Sequence, residues 1–117
     1  MKITYDERPW GSEEILTVNE PSTVKILTIN PGQRTSLQYH NHRQEFWKLI
    51  EGEAIFEIDG VKIDAKIGDE HEIKTGMKHR LAGKDIEGGV AGKVLEISFG
   101  EFDENDITRI EDDYNRK

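Results

Sequence analysis

The chain has 117 residues, a formal net charge of −8, no cysteine and an apolar fraction of 34%. That length supports one domain. The lack of thiols excludes disulfides, thiolate metal sites and cysteine nucleophiles, and an acidic chain without a basic stripe is not expected to bind nucleic acid. No apolar run is long enough to cross a membrane, and Met1–Gly11 carries no apolar signal core, so the cytoplasm is the default expectation.

Strand signals begin at residue 24. Val24, Ile26 and Thr28 alternate with Lys25, Leu27 and Ile29, and the run stops at Asn30-Pro31-Gly32, a turn signal. RTSLQYH and EFWKLI follow, the second ending at Glu51-Gly52. EAIFEI and VKIDAKI are separated by Asp59-Gly60, the dipeptide that best supports a two-residue hairpin. In VKIDAKI the set Val61, Ile63, Ala65 and Ile67 is expected to face the core, with Lys62, Asp64 and Lys66 outside. EHEIK, HRLA and GKVLEISF read as further short strands, and KDIEGGVAG (84–92) as a hairpin tip. No segment keeps a helical period, so an all-β sandwich or barrel is expected. The acidic stretch from about residue 101 to 117 reads as an extended tail or short helical turn laid on the barrel, whose core spans about 13–100.

The histidines cluster. Gln38, His40 and His42 share strand parity, Glu45 lies three residues on, and His79 comes from a later segment. Imidazole nitrogens with carboxylate or amide oxygens suit one first-row divalent ion (Zn, Fe, Mn, Co or Ni) without selecting among them. A hydrogen-bonded surface network of the same residues is the alternative at this stage.

Gly32-x5-Gln38-x-His40-x4-Glu45-x6-Gly52 resembles the first cupin motif, with Gln in the place of the usual first His; Gly68-x5-Lys74-x-Gly76-x2-His79-x3-Gly83 resembles the second, with Lys74 and Gly83 replacing the usual Pro and Asn. The resemblance implies a single jelly-roll-like cupin barrel over residues 1–117 with short terminal extensions. It also implies Gln38, His40, Glu45 and His79 as metal ligands. His42 becomes a neighbour of the metal or an alternate ligand, and His71 has no motif role.

A narrower likeness follows from Arg8-Pro9-Trp10-Gly11, the segment VKILTINPGQRTSLQYHNHRQEFWKLIEGEA (24–54), GMKHRLAG (76–83) and DITRIEDDYNR (106–116). These resemble successive landmarks of type II phosphomannose isomerases, in which the cupin usually follows a guanylyltransferase domain. The chain is too short for that domain, so the expected likeness is to the isomerase half standing alone. The resemblance implies interconversion of mannose 6-phosphate and fructose 6-phosphate through a cis-enediolate. Such chemistry needs a base, a Lewis acid and a cationic grip on phosphate. Arg8, Arg43, Arg80, Arg109 and Arg116 are the candidates for the grip, although Arg80 follows His79 directly and should face the other way. His42, Glu96 and Lys48 are the candidates for proton transfer, and Trp10 and Trp47 read as core residues. A homodimer is expected because cupins often pair. The competing functions are an Fe(II)-dependent cupin oxygenase and a non-catalytic sugar-binding cupin.

Overall fold

The computed structural model describes residues 3–116, and all regular structure among them is β-strand. An N-terminal hairpin joins β1 (Thr4–Arg8) to β2 (Gly11–Ile15). Four strands form one sheet in the order β3 (Ser22–Ile29), β10 (Gly92–Phe99), β5 (Gln44–Glu51) and β8 (Glu70–Ile73). A second sheet runs β11 (Thr108–Glu111), β4 (Leu37–Tyr39), β9 (His79–Ala82), β6 (Ala54–Ile58) and β7 (Val61–Ala65). From β3 onward successive strands alternate between the sheets, except for the β6–β7 hairpin within one sheet, and every pairing is antiparallel, the layout of a double-stranded β-helix.

The inward faces carry the main core, in which Leu49, Phe56, Ile73, Leu81 and Val94 are almost fully buried. Each such side chain stabilises the fold by about 1.5–3 kcal/mol. A second cluster of Phe46, Ile97 and Phe99 lies on the other face of the four-stranded sheet, against Ile3, Leu16 and Leu95. Strands β5 and β10 are therefore covered on both sides, which is why EFWKLI and VLEISF read as nearly continuous apolar runs.

The Asp59-Gly60 hairpin forms as expected: φ is 52° at Asp59 and 81° at Gly60, the left-handed pair that a type I′ turn requires. Three expectations are revised. Val61 sits at the hairpin end and Ile67 lies beyond the last residue of β7, so both are exposed and only Ile63 and Ala65 of that set turn inward. Residues 84–91 cross from one sheet to the other, since β9 pairs with β4 and β6 while β10 pairs with β3 and β5; they do not cap a hairpin. Trp10, at the tip of the N-terminal hairpin, is 72% exposed and is not a core residue. The acidic tail takes the extended form, adding β11 beside β4 with Arg109 opposite Gln38.

Candidate metal centre and cavity

Register explains which side chains meet. Glu45 stands opposite Ser98 and Ile73, and one row further Trp47 stands opposite Glu96 and His71. Lys25 completes that second row from β3. Directly paired residues point to the same face, so Glu45, Glu96, Ser98 and Lys25 all turn into the barrel. From the opposite sheet, His79 begins β9 across from Gln38, and His40 follows the end of β4. Lys25, Gln38, His40, Glu45, Trp47, His79 and Glu96 line one open-mouthed cavity of about 660 Å³.

At its floor His40, Glu45 and His79 are buried, with ligand atoms within 4.8 Å of one another. Glu45 Oε1 lies 3.1 Å from His79 Nε2 and 3.7 Å from His40 Nε2. The tautomers follow from the other ring nitrogens. His40 Nδ1–H donates to the Asp106 carbonyl (2.6 Å) and His79 Nδ1–H to the Met77 carbonyl (2.9 Å); a carbonyl only accepts, so in the neutral rings both Nε2 atoms present lone pairs. Glu45 Oε1 faces those lone pairs and has no hydrogen-bond donor, whereas Oε2 accepts from Ser98 Oγ at 3.3 Å. Glu45 Oε1 and His79 Nε2 face each other as acceptors, while His40 Nε2 meets the Arg43 Nη2 donor; buried acceptors facing each other are costly unless a cation lies between them. The donor set therefore fits a divalent metal, with both imidazoles already oriented by carbonyls behind them. Arg43 stands on the rim, donating through Nη2 to His40 Nε2 (3.2 Å) and lying 3.5 Å from Glu45 Oε2.

Electrostatics separates the two carboxylates. Burial opposes ionisation of Glu45, but His79, His40 and Arg43 outweigh it and hold its pKa below the usual value. Burial also depresses the His40 pKa, keeping the ring neutral and able to ligate. Glu96 is pushed up to about 7, first by burial and then by the charge of Glu45, although Trp47 Nε1–H donates to its Oε2 at 3.1 Å. The cavity thus holds one carboxylate ready to bind a cation and another able to exchange a proton near neutrality.

Gln38, His40, Arg43, Glu45, His79 and Glu96 all line this cavity, and so do Arg109 and Arg116. Gln38 is turned through its Nε2 toward Ser36 Oγ (3.0 Å). Four other candidates lie elsewhere. His42 is exposed, because β4 ends at Tyr39 and the bend after His40 breaks the parity that put them on one face. Lys48 has outward parity and pairs with Glu14 and Glu70. Arg8 pairs with Glu13 within the N-terminal hairpin. Arg80 is buried on the far side of β9, donating to the Thr35 carbonyl and to Glu111. Sequence reasoning passed over Lys25, although its parity with Leu27 and Ile29 marks it as inward-facing. It also gave no place at the site to the tail residue Asn105, nor to the Asp106 carbonyl behind His40.

A family model described as mannose-6-phosphate isomerase C-terminal matches residues 3–112. The chain is 37% identical over 120 residues to a mannose-1-phosphate guanylyltransferase of Salmonella montevideo, covering 97% of this chain and 24% of that protein. It is 34% identical to the alginate biosynthesis protein AlgA of Pseudomonas aeruginosa, covering 93% and 22%. The chain thus spans about a quarter of the length of these relatives. Among solved structures, a cupin protein from Bacteroides fragilis matches with a TM-score of 0.61 at 20% identity, over 74% of this chain and 72% of that one. A protein with a double-stranded β-helix domain from Klebsiella pneumoniae matches with a TM-score of 0.64 at 25% identity, over 83% and 75%.

Proposed function

Because this chain belongs to the mannose-6-phosphate isomerase C-terminal family of cupins, we propose that it is a metal-dependent aldose–ketose isomerase interconverting mannose 6-phosphate and fructose 6-phosphate. The observation that carries this reading is the pairing, in one cavity, of a His40–Glu45–His79 group with a second buried carboxyl, Glu96, that titrates near neutrality.

His40, Glu45 and His79 would hold the divalent ion, with Gln38 as a fourth oxygen donor from the adjacent strand. Bound there, the ion would supply Lewis-acid stabilisation of the negative oxygen that develops as C2 loses its proton. The remaining work falls to the protein. Glu96, as the carboxylate, takes the proton from C2 of the aldose and returns one to C1, while the O2 hydroxyl proton passes to O1 across the cis-enediolate, giving the ketose with the proton count unchanged. Trp47 Nε1–H keeps the Glu96 carboxyl in place between these transfers. Lys25, Arg109 and Arg116 on the walls offset the charge of the acidic chain and give the phosphate a cationic seat.

Incubating metal-loaded protein with mannose 6-phosphate in D2O should exchange the C2 hydrogen for deuterium and yield fructose 6-phosphate. No exchange with any of Zn, Fe, Mn, Co or Ni would reject the isomerase reading and leave a sugar-binding cupin.

A further inference from the structure

We infer that Asp106 is a positioning residue that couples docking of the C-terminal segment to metal binding, an inference resting on the metal-centre reading above. The two histidines of that centre are oriented differently. His79 takes its Nδ1 acceptor from Met77, two residues away on its own chain segment. His40 takes its acceptor from Asp106, 66 residues away in sequence. One imidazole is therefore set by local structure, and the other is set when the tail is in place.

Asp106 grips the ligand segment from both of its polar ends. Its main-chain carbonyl accepts from His40 Nδ1, while its carboxylate accepts the amides of Asn41 and His42, each at 2.9 Å. The amides of the bend after His40 are thus held by the residue that also fixes the ring. Two amides on one carboxylate fix its orientation as well as its position, so the carbonyl behind it is held against the ring. The neighbouring tail residues extend the same docking. The Asp103 carbonyl accepts from Arg43 Nη1 (3.4 Å), and the Phe102 ring lies under both Arg43 (4.7 Å) and Lys25 (4.4 Å). An undocked tail leaves His40 free to rotate and to change tautomer, and an ion then has to pay for fixing both. Linkage makes the effect reciprocal: whatever factor docking adds to metal affinity, metal adds to docking.

The full chain and the variants Asp106→Ala and Asp106→Asn are titrated with Zn2+ and Co2+ by calorimetry, with strand content checked by circular dichroism. Amide hydrogen exchange over residues 101–107 is followed with and without metal. The His40 Nδ1 proton is observed by NMR in the metal-free protein. Asp106→Ala keeps the main-chain carbonyl but removes the carboxylate that ties it to the Asn41 and His42 amides, so the carbonyl is no longer fixed against His40 and metal binding should weaken by up to about 10-fold. Asp106→Asn keeps one acceptor oxygen and should fall between. Metal should slow exchange at 101–107 in the parent chain and not in Asp106→Ala. The His40 proton should broaden in Asp106→Ala while that of His79 persists. If Asp106→Ala misfolds, the same comparisons rest on Asp106→Asn. Unchanged metal affinity in the folded variant, or tail exchange indifferent to metal in the parent, overturns the coupling alone. A parent chain that binds no metal overturns the metal centre and the coupling together, and the NMR comparison then reports only tail docking.

Discussion

At the scale of single residues, the two cavity carboxylates are chemically alike and have different work because of what surrounds them. Glu45 is bracketed by two imidazoles and Arg43, while Glu96 is buried with Glu45 as an unfavourable neighbour, offset only in part by Trp47 and Lys25. Glu45→Gln should abolish stoichiometric Co2+ binding, since an amide removes the charge that balances the ion; calorimetric retention of one Co2+ per chain would count against the ligand assignment. Glu96→Gln keeps the shape and the Trp47 contact but cannot accept a proton. It should lower kcat for isomerisation about 10²- to 10⁴-fold with KM and metal affinity nearly unchanged. A loss confined to KM would instead place Glu96 in sugar binding. His40, Glu45 and His79 were legible because motif spacing records their positions. The raised pKa of Glu96 was not, because it arises from residues brought beside it by the antiparallel register of β5 and β10.

At the scale of elements, glycines set how closely the strand ends can approach. Gly52, in the turn after β5, has φ +72° and an added Cβ would lie 1.9 Å from the Ala91 carbonyl oxygen. Gly60 has φ +81° but nothing within 4 Å of the same atom. Gly60→Ala should therefore cost only left-handed strain, about 1–2 kcal/mol. Gly52→Ala adds a backbone clash and should cost about 2–5 kcal/mol, read as the difference in denaturant midpoints. Equal losses would mean that the approach of residues 51–53 to the start of β10 is looser than it looks. Most strands were legible from alternation and turn dipeptides, as at Asp59-Gly60. Pairing between sheets was not: the 84–91 crossover has the composition of a hairpin tip, and only the position of its flanking strands shows otherwise. Parity also failed where a strand stopped, outside β7 at Ile67 and after β4 at His42, because a two-residue period holds only while the backbone stays extended.

At the scale of the whole molecule, these local charges shape how stability depends on pH. Asp112 and Asp113 are held below their usual pKa by Arg116 and Arg34, and Asp106 by the backbone amides it accepts. Their contribution is present above the unfolded carboxylate pKa and is lost as pH falls through the lower folded values. Glu96 acts in the opposite direction. Its folded pKa is raised from 4.5 to about 7, so across that window the native state holds a proton that the unfolded state has released. Stability then falls as pH rises, by on the order of 1–3 kcal/mol in the metal-free chain. The net charge of −8 adds self-repulsion with the same sign, so a falling Tm alone does not identify the cause. Glu96→Gln separates the two, because it removes the buried carboxyl and leaves the surface charge. Because burial lowers the His40 pKa, that ring adds stability as pH rises toward 6.5, so the two chains are compared: between about pH 5 and 7 Tm should fall more, or rise less, in the metal-free parent than in Glu96→Gln. Metal should invert the trend, because unprotonated His40, His79 and Glu45 are what the ion binds and its affinity grows with pH. Thermal melts of both chains at several pH values, with and without Zn2+, test this directly. Parallel slopes for the parent and Glu96→Gln would assign the effect to overall charge and remove the physical basis for Glu96 as the proton-transfer group.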